Sequence, residues 1–256
     1  MNTKVISNPA MSVIDQYVNF RVANAVCSVP YYNNKTVRAR AAFRTFIGKG
    51  SPKDIYYEVQ AILVKDRAHA ASLTNDSLKR LLVDNNLGIE CSGFAYYVLN
   101  AESESRGKGQ IDKHITFAER GLFGKLRSAI RPVENCDVST FAHDKNSVLV
   151  SLKEVLPGDM IIMIGQTDER DHIMVIHQVE YQNFVPTKIH YSHSIAYPED
   201  GIYDTGVRRG MIEVSDPNKP LTEARWTENG KEGSVNRIHE KALSSKTEIR
   251  RLKWFS

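Results

Sequence analysis

Apolar residues recur near a 3.6-residue period through the first hundred positions and give way after Val148 to short runs of strand length, so helices precede strands. Val13, Ile14, Tyr17, Val18 and Val22 keep the helical period from Ala10 to Cys27, and Pro30 closes that segment. Ser51, Pro52 and Asp54 read as an N-cap, a first-turn proline and an acidic first turn, opening a helix that runs to Lys65 or Ala70. Leu78, Leu81 and Leu82 mark a helix over Asp76 to Asn85, ended by Asn85-Asn86-Leu87-Gly88. The next helix begins at Cys91 and extends to Glu102. From Ser103 to Lys145 the pattern is weak, with a short helix expected around Ile115 to Glu119. A long connection of this kind can cover a site. Cys136 and His143 fall in it and are assigned no chemistry.

The second half reads as strands. Pro157-Gly158 suits the centre of a type II turn, and Met160 to Ile164 is an apolar run that follows it. His172 to Tyr181, Thr187 to Ala196 and Val207 to Ser215 are three further strands joined by turn residues. Helices followed by closely spaced strands predict an α+β fold, with the Cys91 helix packed on an antiparallel sheet. One domain is expected over 1–215, helical over 10–145 and sheet over 148–215, followed by a basic extension over 216–256. Glu248 to Phe255 partly alternates, which suits either an edge strand guarded by its arginines and lysine or a flexible tail.

Composition narrows the function classes. No apolar run reaches the roughly 20 residues that span a bilayer, and MNTKVISNPAMSVIDQ lacks a signal-peptide pattern, so a cytoplasmic location is expected, with export by a non-standard route left open. The net charge of +4 is spread along the chain, so no nucleic-acid partner is expected. Oligomeric state is not legible. Cys27, Cys91 and Cys136 are odd in number and far apart, which speaks against a disulfide framework or a CxxC zinc module. The glycines of FIGKGSP lack the spacing of a phosphate loop.

Cys91 stands where a glycine-ended turn meets a helix. Helix-start N–H groups and the helix dipole favour a thiolate, with a pKa of roughly 3.5–7.5 in reactive sites. Gly88 can supply a left-handed turn, and Ser92 and Gly93 are small enough for a substrate to approach. A thiolate needs a partner to hold its proton, and imidazole suits the task. His172 opens a strand, sharing its face with Met174 and Ile176, while Ile173, Val175 and His177 face the other way. His190 or His193, on the next strand, would orient it. A zinc site would accept Cys91, His172 and His193 as well, but no close ligand pair such as HxxxH accompanies them.

ECSGF at Glu90 to Phe94, LPGDMI at Leu156 to Ile161, HIMVI at His172 to Ile176 and HSIA at His193 to Ala196 resemble the successive motifs of the NlpC family of papain-fold cysteine peptidases. The resemblance implies a papain-like NlpC-type fold with Cys91 as nucleophile, His172 as general base and then acid, and His193 as the orienting residue. It also implies that Tyr31, in Pro30-Tyr31-Tyr32, lines the substrate site beside Ser92 and Gly93. Glu90 stands where aspartate is usual, Asn33-Asn34 where paired glycines are common, and Met174 where a small residue follows the base. The implied activity is cofactor-free hydrolysis of peptidoglycan stem peptides or related cell-wall peptides. The alternatives are a peptide- or glycan-binding module on the same fold and an intracellular amidase or acyltransferase with a non-wall substrate.

Overall fold

The structure, a computed structural model, describes residues 2–33, 44–117, 131–165, 170–228 and 236–255. Asn34, the basic run Lys35 to Arg44 except Arg44, Gly121 and Gly124 lie outside these residues, as does the end of the helix expected at Ile115 to Glu119. The described part of that helix, Ile115 to Phe117, is not helical; the chain makes a single 3-10 turn before it, at Ile111–Lys113.

β1 (Asn2–Val5) and α1 (Asn8–Val18) open the chain. The helix expected over Ala10 to Cys27 stops at Val18, with Asn19 as C-cap. The chain then forms a hairpin of β2 (Phe20–Val22) and β3 (Ala25–Cys27), turning through Ala23 in the left-handed region at φ 51°. Phe20 and Val22 are buried with exposed Arg21 between them, a period of two. Val22 satisfies both periods, which is why the helical pattern runs past the true end.

α2 (Pro52–Lys65) begins where its cap predicts. The Asp54 N–H donates to Ser51 Oγ at 3.1 Å and the Ser51 N–H donates to Asp54 Oδ2 at 2.9 Å, a reciprocal capping box. α3 (Asn75–Asp84) is capped in the same way by Thr74 and Ser77. α4 (Cys91–Ser105) follows, then the short α5 (Pro132–Asn135) and α6 (Val138–Ala142). β4 (Ser147–Leu149), β5 (Met160–Gly165), β6 (His172–Gln182), β7 (Val185–Ile195), β8 (Gly206–Glu213) and β9 (Arg225–Glu228) lead to α7 (Arg237–Ser244) and β10 (Ser245–Leu252).

Among the described residues this is an α+β protein of seven helices, the N-terminal ones packed on an antiparallel sheet of eight strands. The sheet order is β4-β10-β5-β6-β7-β8-β9, with β1 pairing to the far end of β6. The C-terminal strand therefore returns, but not as an edge: β10 lies between β4 and β5. Its arginines are occupied accordingly. Arg250 donates to Ser147 Oγ at 2.9 Å and Arg251 Nε donates to Asp159 at 2.6 Å.

Each face of the sheet carries its own core. Ile173 and Val175 of β6 join Phe94, Val98 and Leu99 of α4 on one face. Met174 and Ile176 join Tyr191, Trp226 and Ile238 of α7 on the other. Burying each such side chain stabilises the fold by about 1.5–3 kcal/mol, so α4 and α7 are clamped to opposite faces near the start of β6. Among the described residues no helix is long and apolar enough to cross a membrane.

Candidate active site

Cys91 is the first residue of α4, and its N-cap, Glu90, makes no side-chain cap. The first-turn N–H groups therefore lack the oxygen that Ser51 supplies to α2. Two segments brace the turn before it. Tyr31 bridges Ile89, whose N–H donates to the Pro30 carbonyl at 3.0 Å, and the Glu90 N–H donates to the Gly48 carbonyl at 2.9 Å. Gly88 is not left-handed; Asn86 takes that conformation at φ 57°. Gly88 is required by crowding, because a Cβ there would lie 2.5 Å from the Pro30 carbonyl oxygen.

Gly93 has a similar role. A Cβ on it would meet the Gly48 oxygen at 2.8 Å, so its smallness admits the 48–50 loop, and it lines neither cleft described below. Ser92 does line one of them, although its residue is 2% exposed and its hydroxyl is committed. It donates to Glu90 Oε1 at 2.7 Å and accepts from Lys49 Nζ at 2.8 Å. Lys49 also donates to the Cys136 carbonyl at 2.6 Å and pairs with Glu90 at 2.5 Å. This buried lysine was not singled out from the sequence. Its signal is a cation between two glycines in FIGKGSP, the stretch rejected as a phosphate loop.

Two clefts meet at Cys91. One, of about 540 Å³, runs from Tyr31 and Cys91 past His172 and Tyr197 to Arg237 and Lys241 of α7. The other, of about 410 Å³, includes Asn33, Glu90, Ser92, Asp137 and Ser139. Tyr31, Cys91, Arg170 and Asp171 belong to both, so the sulfur sits at the junction of a groove. Burial, then the neighbouring Cys91, pushes the Tyr31 phenol up to about 12, which keeps it a hydroxyl donor at neutral pH.

His172 lies on the α7 face of β6 but at its first position, from which it lines the same cleft as Cys91. Its Nε2 is 2.8 Å from His193 Nδ1 on β7, and both rings are buried. His190 instead meets Glu180 at 2.9 Å, and His177 meets the Ser192 hydroxyl at 3.0 Å. The histidine that the structure brings to His172 is therefore His193.

The electrostatics differ from the helix-start expectation. Burial pushes the Cys91 thiol up to about 11 and Glu90 adds to it, outweighing the lowering by the Ile173 and Ser92 N–H groups and Lys49. Desolvation of a residue only 7% exposed exceeds what one helix terminus returns. Burial, then His193 and Lys241, likewise holds the His172 imidazole well below its ordinary value. The resting pair is neutral thiol and neutral imidazole.

One partner of the histidines also escaped the sequence reading. Glu228 of β9 is buried, with Oε1 3.7 Å from His193 Nε2 and Oε2 accepting from the Tyr197 hydroxyl at 2.7 Å. Its segment carries no motif, and only the pairing of β9 with β8 brings it to the site. Among the described residues no group of three or more His, Cys, Asp or Glu side chains is arranged to hold a metal ion. In comparisons with known proteins, the chain matches no family model, no curated protein and no solved structure.

Proposed function

We propose that the protein is a cysteine-dependent amide or peptide hydrolase of NlpC-like type. The observation that carries this reading is the opening of Cys91, at an uncapped helix start, into one cleft with a histidine whose Nε2 is held by a second histidine. A zinc site is less well supported, because His172 Nε2 and His193 Nδ1 face each other rather than a common point.

In this mechanism His172 takes the thiol proton as Cys91 Sγ bonds to the carbonyl carbon, since neither group is charged beforehand. The first-turn N–H groups of α4, including that of Cys91, stabilise the oxyanion. The tetrahedral adduct collapses, the C–N bond breaks, and His172 returns the proton to the departing amine. Water, deprotonated by His172, then attacks the thioester, releasing the carboxylic acid and restoring the thiol. Tyr31 lines the groove on both sides of the sulfur. Peptidoglycan stem peptides are the substrate class that the motif resemblance implies.

One observation favours a second reading, a peptide- or glycan-binding module: the thiol rests protonated rather than as a thiolate. Incubation with purified stem peptides and a panel of simple amides, followed by mass spectrometry, separates the two. Cleavage lost in Cys91→Ala, with an acyl adduct mapped to Cys91, is the expected result. Cleavage that survives Cys91→Ala, or binding of the peptides without cleavage, overturns the hydrolase.

A further inference from the structure

Behind the histidine pair lies a carboxylate that the reaction above does not use. Glu228 is 5% exposed, and burying an ionised carboxylate is costly unless the fold answers it. Tyr197 donates to Oε2, and Arg208, held also by Asp200, lies 3.7 Å from Oε1. These contacts account for Oε2 and for part of the charge. They leave Oε1 and His193 Nε2 facing each other at 3.7 Å, two buried polar atoms without another hydrogen-bond partner among the described residues.

The protonation pattern of the relay follows from the donor inventory. Burial raises the Glu228 carboxyl, but His193, Tyr197 and Arg208 more than offset it and leave it below the ordinary glutamate value, so it is ionised and can only accept. The group facing it, His193 Nε2, must then carry the hydrogen. A neutral His193 protonated on Nε2 has a bare Nδ1, which accepts from His172 Nε2–H. His172 is thereby left with its lone pair on Nδ1, the nitrogen not engaged by His193, to take the Cys91 proton in the proposed reaction. Around the pair, Tyr191 packs on the His193 ring with centroids 5.5 Å apart, and Lys241 and Arg208 are the nearby cations. Glu228 is the carboxylate that faces them.

We propose that Glu228 is a positioning residue. It fixes the tautomers of His193 and, through it, of His172, and it stabilises the positive charge that the pair acquires while the Cys91 proton is in transit. The inference rests on the hydrolase reading for its purpose, but its test does not require a substrate.

Full-length protein labelled with 15N-histidine reports ring tautomers directly, with His172→Gln and His193→Gln used to assign the signals. The expected wild-type spectrum has both rings protonated on Nε2 at neutral pH. In Glu228→Gln the amide can offer N–H to His193, and the two rings are expected to move toward the Nδ1–H form. With a substrate in hand, kcat should fall about 10- to 100-fold with KM little changed, the size usual for a partner that orients a working histidine. Glu228→Asp should restore both readouts in part. A wild-type His193 protonated on Nδ1, or tautomers unmoved by Glu228→Gln, would overturn the proposal. The assigned wild-type spectrum decides even if the Glu228 variants fail to fold. Tautomers as expected in a protein that cleaves nothing would count against the hydrolase and leave the relay standing.

Discussion

The Lys49 ammonium lies 2.5 Å from the Glu90 carboxylate, in the turn that delivers Cys91 to its helix. Both residues are almost fully buried, so neither charge can turn to water if the other is removed. Lys49→Met is therefore expected to destabilise the fold by about 3–5 kcal/mol, the usual cost of leaving one buried partner unpaired. Adding Glu90→Gln should recover much of the loss. Urea unfolding of the two variants measures this, and a single variant that unfolds with wild type would show that the pair is not structural.

The same lysine acts on the nucleophile. With the Cys91 thiol pushed up to about 11, iodoacetamide alkylation should be slow at pH 7 and keep rising beyond pH 9, without a plateau near neutrality. Lys49→Met removes a cation that lowers the thiol, so its alkylation profile should move to still higher pH. A plateau below pH 8 in the wild-type protein would contradict the neutral resting pair.

Acid should unfold the protein early. Burial, then Arg209 and His190, holds His177 down at about 3, and His172 is depressed in the same direction. Above pH ~6.5 these rings are neutral in both folded and unfolded chains and cost nothing. Below it the unfolded chain takes up protons that the folded one refuses, so stability falls as pH drops from about 6.5 toward 3. For His177 alone the loss is on the order of 4 kcal/mol across that window. His177→Gln should flatten the pH dependence of the urea midpoint, and an unchanged slope would assign it elsewhere.

Gly88→Ala would place a methyl 2.5 Å from the Pro30 oxygen and 2.6 Å from Tyr32 Cβ. The Tyr31 segment must move to admit it. Substrate affinity, or the rate of Cys91 modification by a peptide-like electrophile, should change more than overall stability does. Equal kinetics in the variant and the wild-type protein would show that Tyr31 is not held by this contact.

Local rules carried the sequence far where a single residue type has a single mechanism. Ser51 with Asp54 marked a helix start, Pro157-Gly158 a turn with Gly158 at φ 92°, and the apolar runs the central strands. The α2 and α4 starts and the succession of strands β5 to β8 along the chain were legible for that reason, whereas the Thr74–Ser77 cap that starts α3 was not read. The Phe20 to Cys27 hairpin was not, because strands of three residues are too short to separate a period of two from one of 3.6. Lys49 and Glu228 were hidden for a different reason. Each reaches the site through long-range contacts, Lys49 across the Glu90 turn and Glu228 through β9, and nothing in its neighbours announces that destination.

β10 completes the sheet by pairing with β5 on one side and β4 on the other. During synthesis the cysteine, both histidines and Glu228 all leave the ribosome before residues 245–252 do. Until then the Met160-Ile161-Ile162-Met163 edge of β5 lacks its partner, an apolar ribbon open to other nascent chains. A variant lacking residues 245–252 would thus keep every residue of the proposed chemistry and yet be expected in inclusion bodies.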